Sequence, residues 1–274
     1  MPIRLTLPDT FAQRLAAADR GLAGMWVCSG STAIAEIAAG SGLDWLLIDG
    51  EHSPLSLESI QQQLQAVAAY PVTPVVRVPV SDTVLIKQYL DLGAQNLLVP
   101  MINTAEQAEA AVAAAHYPPR GVRGVGSALA RAARWNRVES YLQHASEHVS
   151  VTVQIETAEA VERVDEIAAV DGVDALFVGP SDLAASMGLL GQQGHPDVVA
   201  GVQRALEAGR AAGKPVGVNA FDPALATKYF DDGVDFILVG ADVAMLARGS
   251  EALAAKFIEQ RLGTAPEGEE RASY

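Results

Sequence analysis

A closed (β/α)8 barrel, the TIM-barrel class, is the fold the sequence predicts, and three observations predict it. Eight short apolar runs recur along the chain, each followed by a stretch able to form a helix. The runs are apolar nearly throughout, as strands covered on both faces must be. The length, 274 residues, suits one such barrel, and 50% hydrophobic residues are enough to fill it. An open doubly wound sheet is the alternative arrangement of the same units. No Gly-x-Gly-x-x-Gly follows the first run, which weakens the dinucleotide-binding version of that alternative.

In chain order the expected strands are AGMWVCS (23–29), DWLLID (44–49), TPVVRV (73–78), QNLLVP (95–100), VTVQIE (151–156), DALFVG (174–179), KPVGVN (214–219) and DFILVG (235–240). The intervening helices show start and stop signals. After the second strand, Ser56 stands three residues before Ser59, with Leu57, Ile60, Leu64 and Val67 on one face. After the fourth, Asn103 or Thr104 caps a helix that Pro118 and Pro119 halt. The long irregular segment 118–150 follows, glycine- and arginine-rich, and an insertion of that length in a compact barrel is more often functional or an oligomer contact than idle. No low-complexity linker interrupts the chain. Residues 1–260 read as one domain, and 261–274 as a flexible acidic tail.

The net charge of −14 argues against a nucleic-acid partner, which demands clustered positive charge. It leaves a small anionic substrate open, because one arginine or metal ion sets the local field. The N-terminus lacks the uninterrupted apolar core of a signal peptide and no run reaches membrane-spanning length, so a cytoplasmic protein without a membrane partner is expected. Cys28 is the only cysteine, which excludes an internal disulfide and a cysteine-based zinc site. Packing is a commoner role than nucleophile for such a residue.

Active sites of this fold lie at the C-terminal ends of the strands. There the sequence places Asp49, Glu51 and His52 after the second strand, Arg77 at the third, Gln154 and Glu156 at the fifth, Ser181 and Asp182 after the sixth, and Asn219 at the seventh. Glu156 and Asp182, at adjacent strand mouths, suit a hard divalent cation with open positions; the alternatives are a solvated rim for Glu156 and a helix cap for Asp182. Arg77 inside PVVRVP needs an anionic partner, either a bound ligand or a neighbouring carboxylate. His52 reads as a general base if another group holds it, and otherwise as a surface histidine. Lys87, Lys228 and Lys256 fall in helical segments and Lys214 at the entrance of a strand, which disfavours Schiff-base chemistry.

The ordered blocks DWLLIDGEH, VVRVP, LDLGAQNLLVPM, RGVRGVGSALARAARWN, VQIET, GPSDLAASMG and GADVAMLARG resemble the HpcH/HpaI aldolase family over about residues 20 to 260. The resemblance implies a metal-dependent aldolase that cleaves 4-hydroxy-2-oxo acids to pyruvate and an aldehyde, on a barrel assembled as a homo-hexamer, a trimer of dimers exchanging their last helix. It implies Glu156 and Asp182 as ligands of magnesium, manganese or cobalt, Arg77 facing the pyruvyl oxygen, and Asp49 holding metal-bound water. His52 would be the base, paired with Asp91. Gln154 would position the pyruvyl group, and the backbone N–H groups of Ser181 and Asp182 would take its carboxylate. Trp26 and the 124–127 loop would flank the aldehyde, the loop able to reach in from a neighbouring subunit. Asn219 departs from the aliphatic residue expected beside the aldehyde. Rivals are a citryl- or malyl-CoA lyase-like or phosphoenolpyruvate-handling barrel, which a long C-terminal extension would favour, and a non-catalytic metabolite-binding barrel, which loss of Arg77 or a metal carboxylate would favour.

Overall fold

Residues 3–259 are described by a computed structural model. Eight parallel strands close on themselves in sequence order: β1 Leu22–Val27, β2 Trp45–Asp49, β3 Thr73–Arg77, β4 Asn96–Val99, β5 Ser150–Ile155, β6 Ala175–Val178, β7 Val216–Asn219 and β8 Phe236–Ala241. Every strand expected from the sequence is present, and β1 pairs with β8 to complete the barrel. The helices are α1 Phe11–Ala17, α2 Thr32–Ala39, α3 Leu57–Ala66, α4 Thr83–Asp91, α5 Ala105–Ala115, α6 Tyr141–His144, α7 Ala158–Glu162, α8 Val164–Ala169, α9 Pro180–Ser186, α10 Pro196–Ala212, α11 Pro223–Asp231 and α12 Asp242–Ala254. The tail expected at 261–274 lies outside the described residues.

Two-residue alternation sorts each strand between two cores. In β2, Leu46 and Ile48 join the layer between sheet and helices, whereas Trp45 and Leu47 face the barrel interior. The interior set continues through Val75, Leu98, Phe177, Phe236 and Leu238. Glycines make room for its rings: a Cβ on Gly24 would come within 2.5 Å of the Trp45 indole, and one on Gly217 would overlap Phe236. The same alternation continues to the strand ends, so Asp49 follows Leu47 and Arg77 follows Val75 toward the mouth, paired in register across β2 and β3.

The opposite end is stoppered by α1, which the sequence reading did not assign. Thr10 and Gln13 form a reciprocal capping box at its start. Its Phe11 ring lies 5.1 Å from both Trp45 and Phe236, and the Phe11 N–H donates to Asn96 Oδ1 at 2.7 Å. The caps expected elsewhere are formed by Ser56 on α3 and Thr104 on α5. The 118–150 segment coils into short turns over a small core of its own, with Leu7, Val138 and Tyr141 among its members.

Candidate active site

The site is built around Arg77. β3 delivers its guanidinium to the mouth almost wholly buried, at 4% exposure. Its Nε donates to Asp49 Oδ1 at 2.8 Å, and Nη1 lies 2.9 Å from Glu51 Oε2. Beneath the guanidinium, the Trp26 ring centroid is 4.4 Å from Cζ, a cation–π contact that fixes the fork's plane. The Trp26 indole N–H in turn donates to Asn219 Oδ1 at 2.7 Å. Strands β1, β2, β3 and β7 thus hold one connected group.

Asp49 is fully engaged by its own chain. Oδ1 accepts from Arg77 and from the Glu51 N–H at 3.0 Å, while Oδ2 accepts from the His52 N–H and the Ser53 hydroxyl, both at 3.3 Å. Burial works against its charge, but Arg77 and these donors outweigh burial and hold its pKa below the usual value. Glu51 is shifted the other way: burial raises its pKa although Arg77 opposes the rise. His52 sits on the rim, its side chain 66% exposed and its Nε2 3.9 Å from Glu51 Oε2.

On the facing wall β5 runs into Glu156, buried at 2% exposure. Oε1 accepts the Met101 N–H at 2.6 Å and Oε2 accepts from the Gln154 amide. Burial, reinforced by the charges of Asp182 and Glu51, pushes the Glu156 pKa up to about 7. Met101 supplies its N–H from a left-handed backbone, φ 57°, a conformation costly for a non-glycine residue and typical of functional sites. Gly179 admits the cluster, since a Cβ there would fall 2.9 Å from Gln154 Nε2 and 3.0 Å from Glu156 Oε2. The Gln154 Oε1 atom is buried with no partner.

Beside Glu156, α9 begins at Pro180 with no side-chain cap. Its first N–H groups, those of Ser181 and Asp182, therefore have no partner within the helix and are suited to a carboxylate. The Asp182 side chain is exposed. Beside the mouth, a cleft of about 350 Å³ is lined by Ser181, Asn219, Phe221 and Asp222.

Among the described residues no three acidic, histidine or cysteine side chains form a ready-made metal cage. The donor set nevertheless fits a hard cation. Glu156 carries a charge that burial and neighbouring carboxylates resist, Gln154 leaves an oxygen unused, and two carboxylates leave room for substrate oxygens in the remaining positions.

Asp91 and the 124–127 loop are not at this mouth. Helices of the barrel run back against the strands, so Asp91, the last residue of α4, lies at the foot just before β4. There it accepts from Arg123 Nη2 at 2.8 Å, and a Cβ on Gly126 would lie 3.7 Å from its Oδ2. His52 and Asp91 therefore do not meet within one chain. Sequence reasoning also missed Asp242, whose carboxylate accepts the Cys28 and Ser29 N–H groups at 2.9 and 3.0 Å and ties α12 to the β1 mouth. Burial pushes the neighbouring Cys28 thiol up to about 12, so it is no thiolate nucleophile.

Comparison with known proteins adds four findings. Residues 22–249 match the family model described as HpcH/HpaI aldolase/citrate lyase. The chain is 51% identical over 249 residues, 90% of its length and 95% of the relative's, to the 4-hydroxy-2-oxo-heptane-1,7-dioate aldolase of Salmonella typhimurium (strain LT2). Among solved structures, an HpcH/HpaI aldolase/citrate lyase family protein from Burkholderia cenocepacia J2315 superposes with TM-score 0.86 at 44% identity, covering 89% of this chain and 97% of that one. An HpcH/HpaI aldolase from Desulfitobacterium hafniense DCB-2 superposes with TM-score 0.84 at 29% identity, covering 94% and 100%.

Proposed function

The chain belongs to the HpcH/HpaI aldolase/citrate lyase family, and within it we propose a divalent-metal-dependent pyruvate aldolase that reversibly cleaves 4-hydroxy-2-oxo acids to pyruvate and an aldehyde. One observation carries the metal dependence: the mouth gathers three carboxyl groups, Asp49, Glu51 and Glu156, about a single guanidinium, Arg77, and burial raises the pKa of Glu51 and Glu156. Such an excess calls for a cation. The name of the Salmonella relative supports the substrate class.

Glu156 and Asp182 would hold magnesium, manganese or cobalt, all compatible with oxygen ligands. When bound, the metal withdraws electron density from a 2-oxo acid. The chain's own groups do the rest. Arg77, fixed by Asp49 and Trp26, meets the negative charge that develops on the keto oxygen as the bond between the third and fourth carbons breaks. Gln154 orients the pyruvyl group, and the uncapped N–H groups of Ser181 and Asp182 take its carboxylate. His52 accepts the 4-hydroxyl proton as the aldehyde leaves. Asp49 has its lone pairs filled by chain donors, so its first role is to aim Arg77; holding a water would come in addition.

The same reading explains what the foot of the barrel is for. Asp91, Arg123 and Gly126 form one cluster there. In a homo-hexamer that cluster would reach the mouth of another copy, bringing Asp91 of a partner subunit to His52 together with the 124–127 loop. Exposed apolar residues on α12, Met245 at 64%, Leu246 at 65% and Leu253 at 60%, support exchange of that helix between copies. The reading is tested by mixing pyruvate with an aldehyde panel, after exhaustive chelation and then with each metal restored. Aldol products that appear only with metal support it; full activity without metal, or a pyruvyl adduct trapped by borohydride, would refute it.

A further inference from the structure

At the foot of the barrel, beneath β3 and β4, a cavity of about 280 Å³ opens between α3, the N-terminal segment and the 131–134 turn. Leu64, Val67, Val72 and Pro74 give it apolar walls, and Arg131 and Arg134 give it charge. Arg131 is buried to 8% exposure. The two guanidinium groups converge: a Cβ at Gly93 would stand 2.5 Å from Arg131 Nη1 and 2.9 Å from Arg134 Nη1. Gly93 itself has φ +93°, so the position both requires a glycine backbone and leaves space that any side chain would fill.

Among the described residues no carboxylate pairs with either group. Arg131 donates to the carbonyls of Leu92 at 3.0 Å and Leu64 at 3.5 Å, and Arg134 Nη1 to the Arg131 carbonyl at 2.6 Å. Carbonyl oxygens satisfy individual N–H groups and cap the end of α4, but they do not neutralise two adjacent positive charges. Burial first, and then repulsion by Arg134, draws the Arg131 pKa down to about 10. Asp9 lines the cavity yet forms no ion pair, and Asp91 is already held by Arg123. The backbone that sets Arg134 is left-handed at Arg134, Trp135 and Asn136 in succession, with φ 48°, 54° and 61°, a costly run for residues with side chains.

We propose that this foot cavity binds a small oxyanion, a carboxylate or a phosphate, between the Arg131 and Arg134 guanidinium groups. Planar forks with donors to spare recognise both ligand types bidentately, and the apolar walls accept a short carbon skeleton. Within one chain the cavity lies at the opposite end of the barrel from Arg77, so its occupant does not touch the Arg77 of the same barrel.

The test is calorimetric titration of the full chain with inorganic phosphate and, separately, succinate, at constant ionic strength. Wild type is compared with Arg134→Gln and Arg77→Gln. The expected result is saturable binding of one titrant, weakened tenfold or more by Arg134→Gln and kept within threefold in Arg77→Gln; the better titrant identifies phosphate or carboxylate. Absence of saturable binding overturns the proposal, as does binding that Arg77→Gln abolishes and Arg134→Gln leaves intact. Hydrogen exchange on wild type gives an independent reading should Arg134→Gln misfold. Ligand must slow the amides of 91–96 and 131–137, and slowing confined to the mouth overturns the site.

Discussion

At the mouth of the barrel, Asp49 and Glu51 hold the guanidinium of Arg77, whose charge also reaches Glu156; at the foot, Arg131 and Arg134 face each other with no carboxylate among the described residues paired to either. The two ends share one set of strands, and these two clusters are opposite in charge. They also differ in how they are closed. The foot is sealed by the Phe11, Trp45 and Phe236 rings, whereas the mouth keeps an unpartnered Gln154 oxygen and a strained Met101. The contrast points to a division of labour along the barrel axis: apolar packing at one end holds the strands in register, and the other end can then keep charge in an unfavourable state, as the proposed cation site requires.

Removing the stopper should have the largest effect. Phe11→Ala deletes a fully buried ring from the foot and should cost about 4 kcal/mol of stability, read as a lower urea midpoint at fixed protein concentration. Affinity for metal per folded molecule should not change. A midpoint within error of wild type would show that α1 does not hold the barrel closed.

Next comes the mouth's clamp. Arg77→Lys keeps a charge but loses the fork that reaches Asp49 and Glu51 together. Cleavage should fall by about 3 kcal/mol in transition-state stabilisation, the scale of one lost oxyanion donor. A mutant within threefold of wild type in kcat/KM would make Arg77 a structural ion pair.

How far each end could be read in advance follows from its physics. The strands were legible because buried strands must be apolar on both faces, and WLLID admits little else. Asp49, Arg77, Gln154 and Glu156 were legible because polar residues ending such runs have to face the mouth. α1 escaped because seven residues carry little periodicity, although Thr10 and Gln13 hold its capping signal. The Trp26–Asn219 bond joins residues 193 apart in the chain, and the convergence of Arg131 and Arg134 over Gly93 depends on a left-handed turn. Nothing in local pattern encodes either. Asp91 entered through the resemblance, as the partner of His52, and the reversed direction of α4 puts it at the foot.

The two ends should also answer acid with opposite signs. Glu156 has a folded pKa of about 7 against an ordinary 4.5. The folded state thus favours its protonated form, and that stability is present below 4.5 and lost as pH rises through 7. His116, buried at the foot end of α5, has a folded pKa of about 4 against 6.5, through burial and then the charges of Arg120 and Arg123. Its contribution is present above 6.5 and lost as pH falls through 4. In metal-free protein, Glu156→Gln and His116→Gln should therefore tilt the profile of urea stability against pH in opposite directions, each by on the order of 2 kcal/mol. Parallel shifts from the two variants would contradict the contrast between mouth and foot.

The smallest effect belongs to the residue that ends the seventh strand. Asn219 turns inward, where its oxygen accepts from the Trp26 indole that lies under Arg77. Asn219→Leu leaves a half-buried N–H without its acceptor, a loss of about 1 kcal/mol, and frees Trp26 to tilt. It also removes an amide N–H from the edge of the cleft shared with Ser181 and Phe221. An amide there favours hydroxylated aldehydes over alkyl ones, because an alkyl chain would strip its water and return no hydrogen bond. The variant should therefore shift the ratio of kcat/KM for hydroxyaldehyde against alkyl aldehyde of equal length toward the alkyl substrate by about fivefold, the equivalent of about 1 kcal/mol. The expected selectivity change is separable from the Trp26 effect, since a tilted indole lowers both rates together while a lost amide changes only their ratio. If both rates fall and the ratio holds, Asn219 serves Trp26 and does not read the aldehyde.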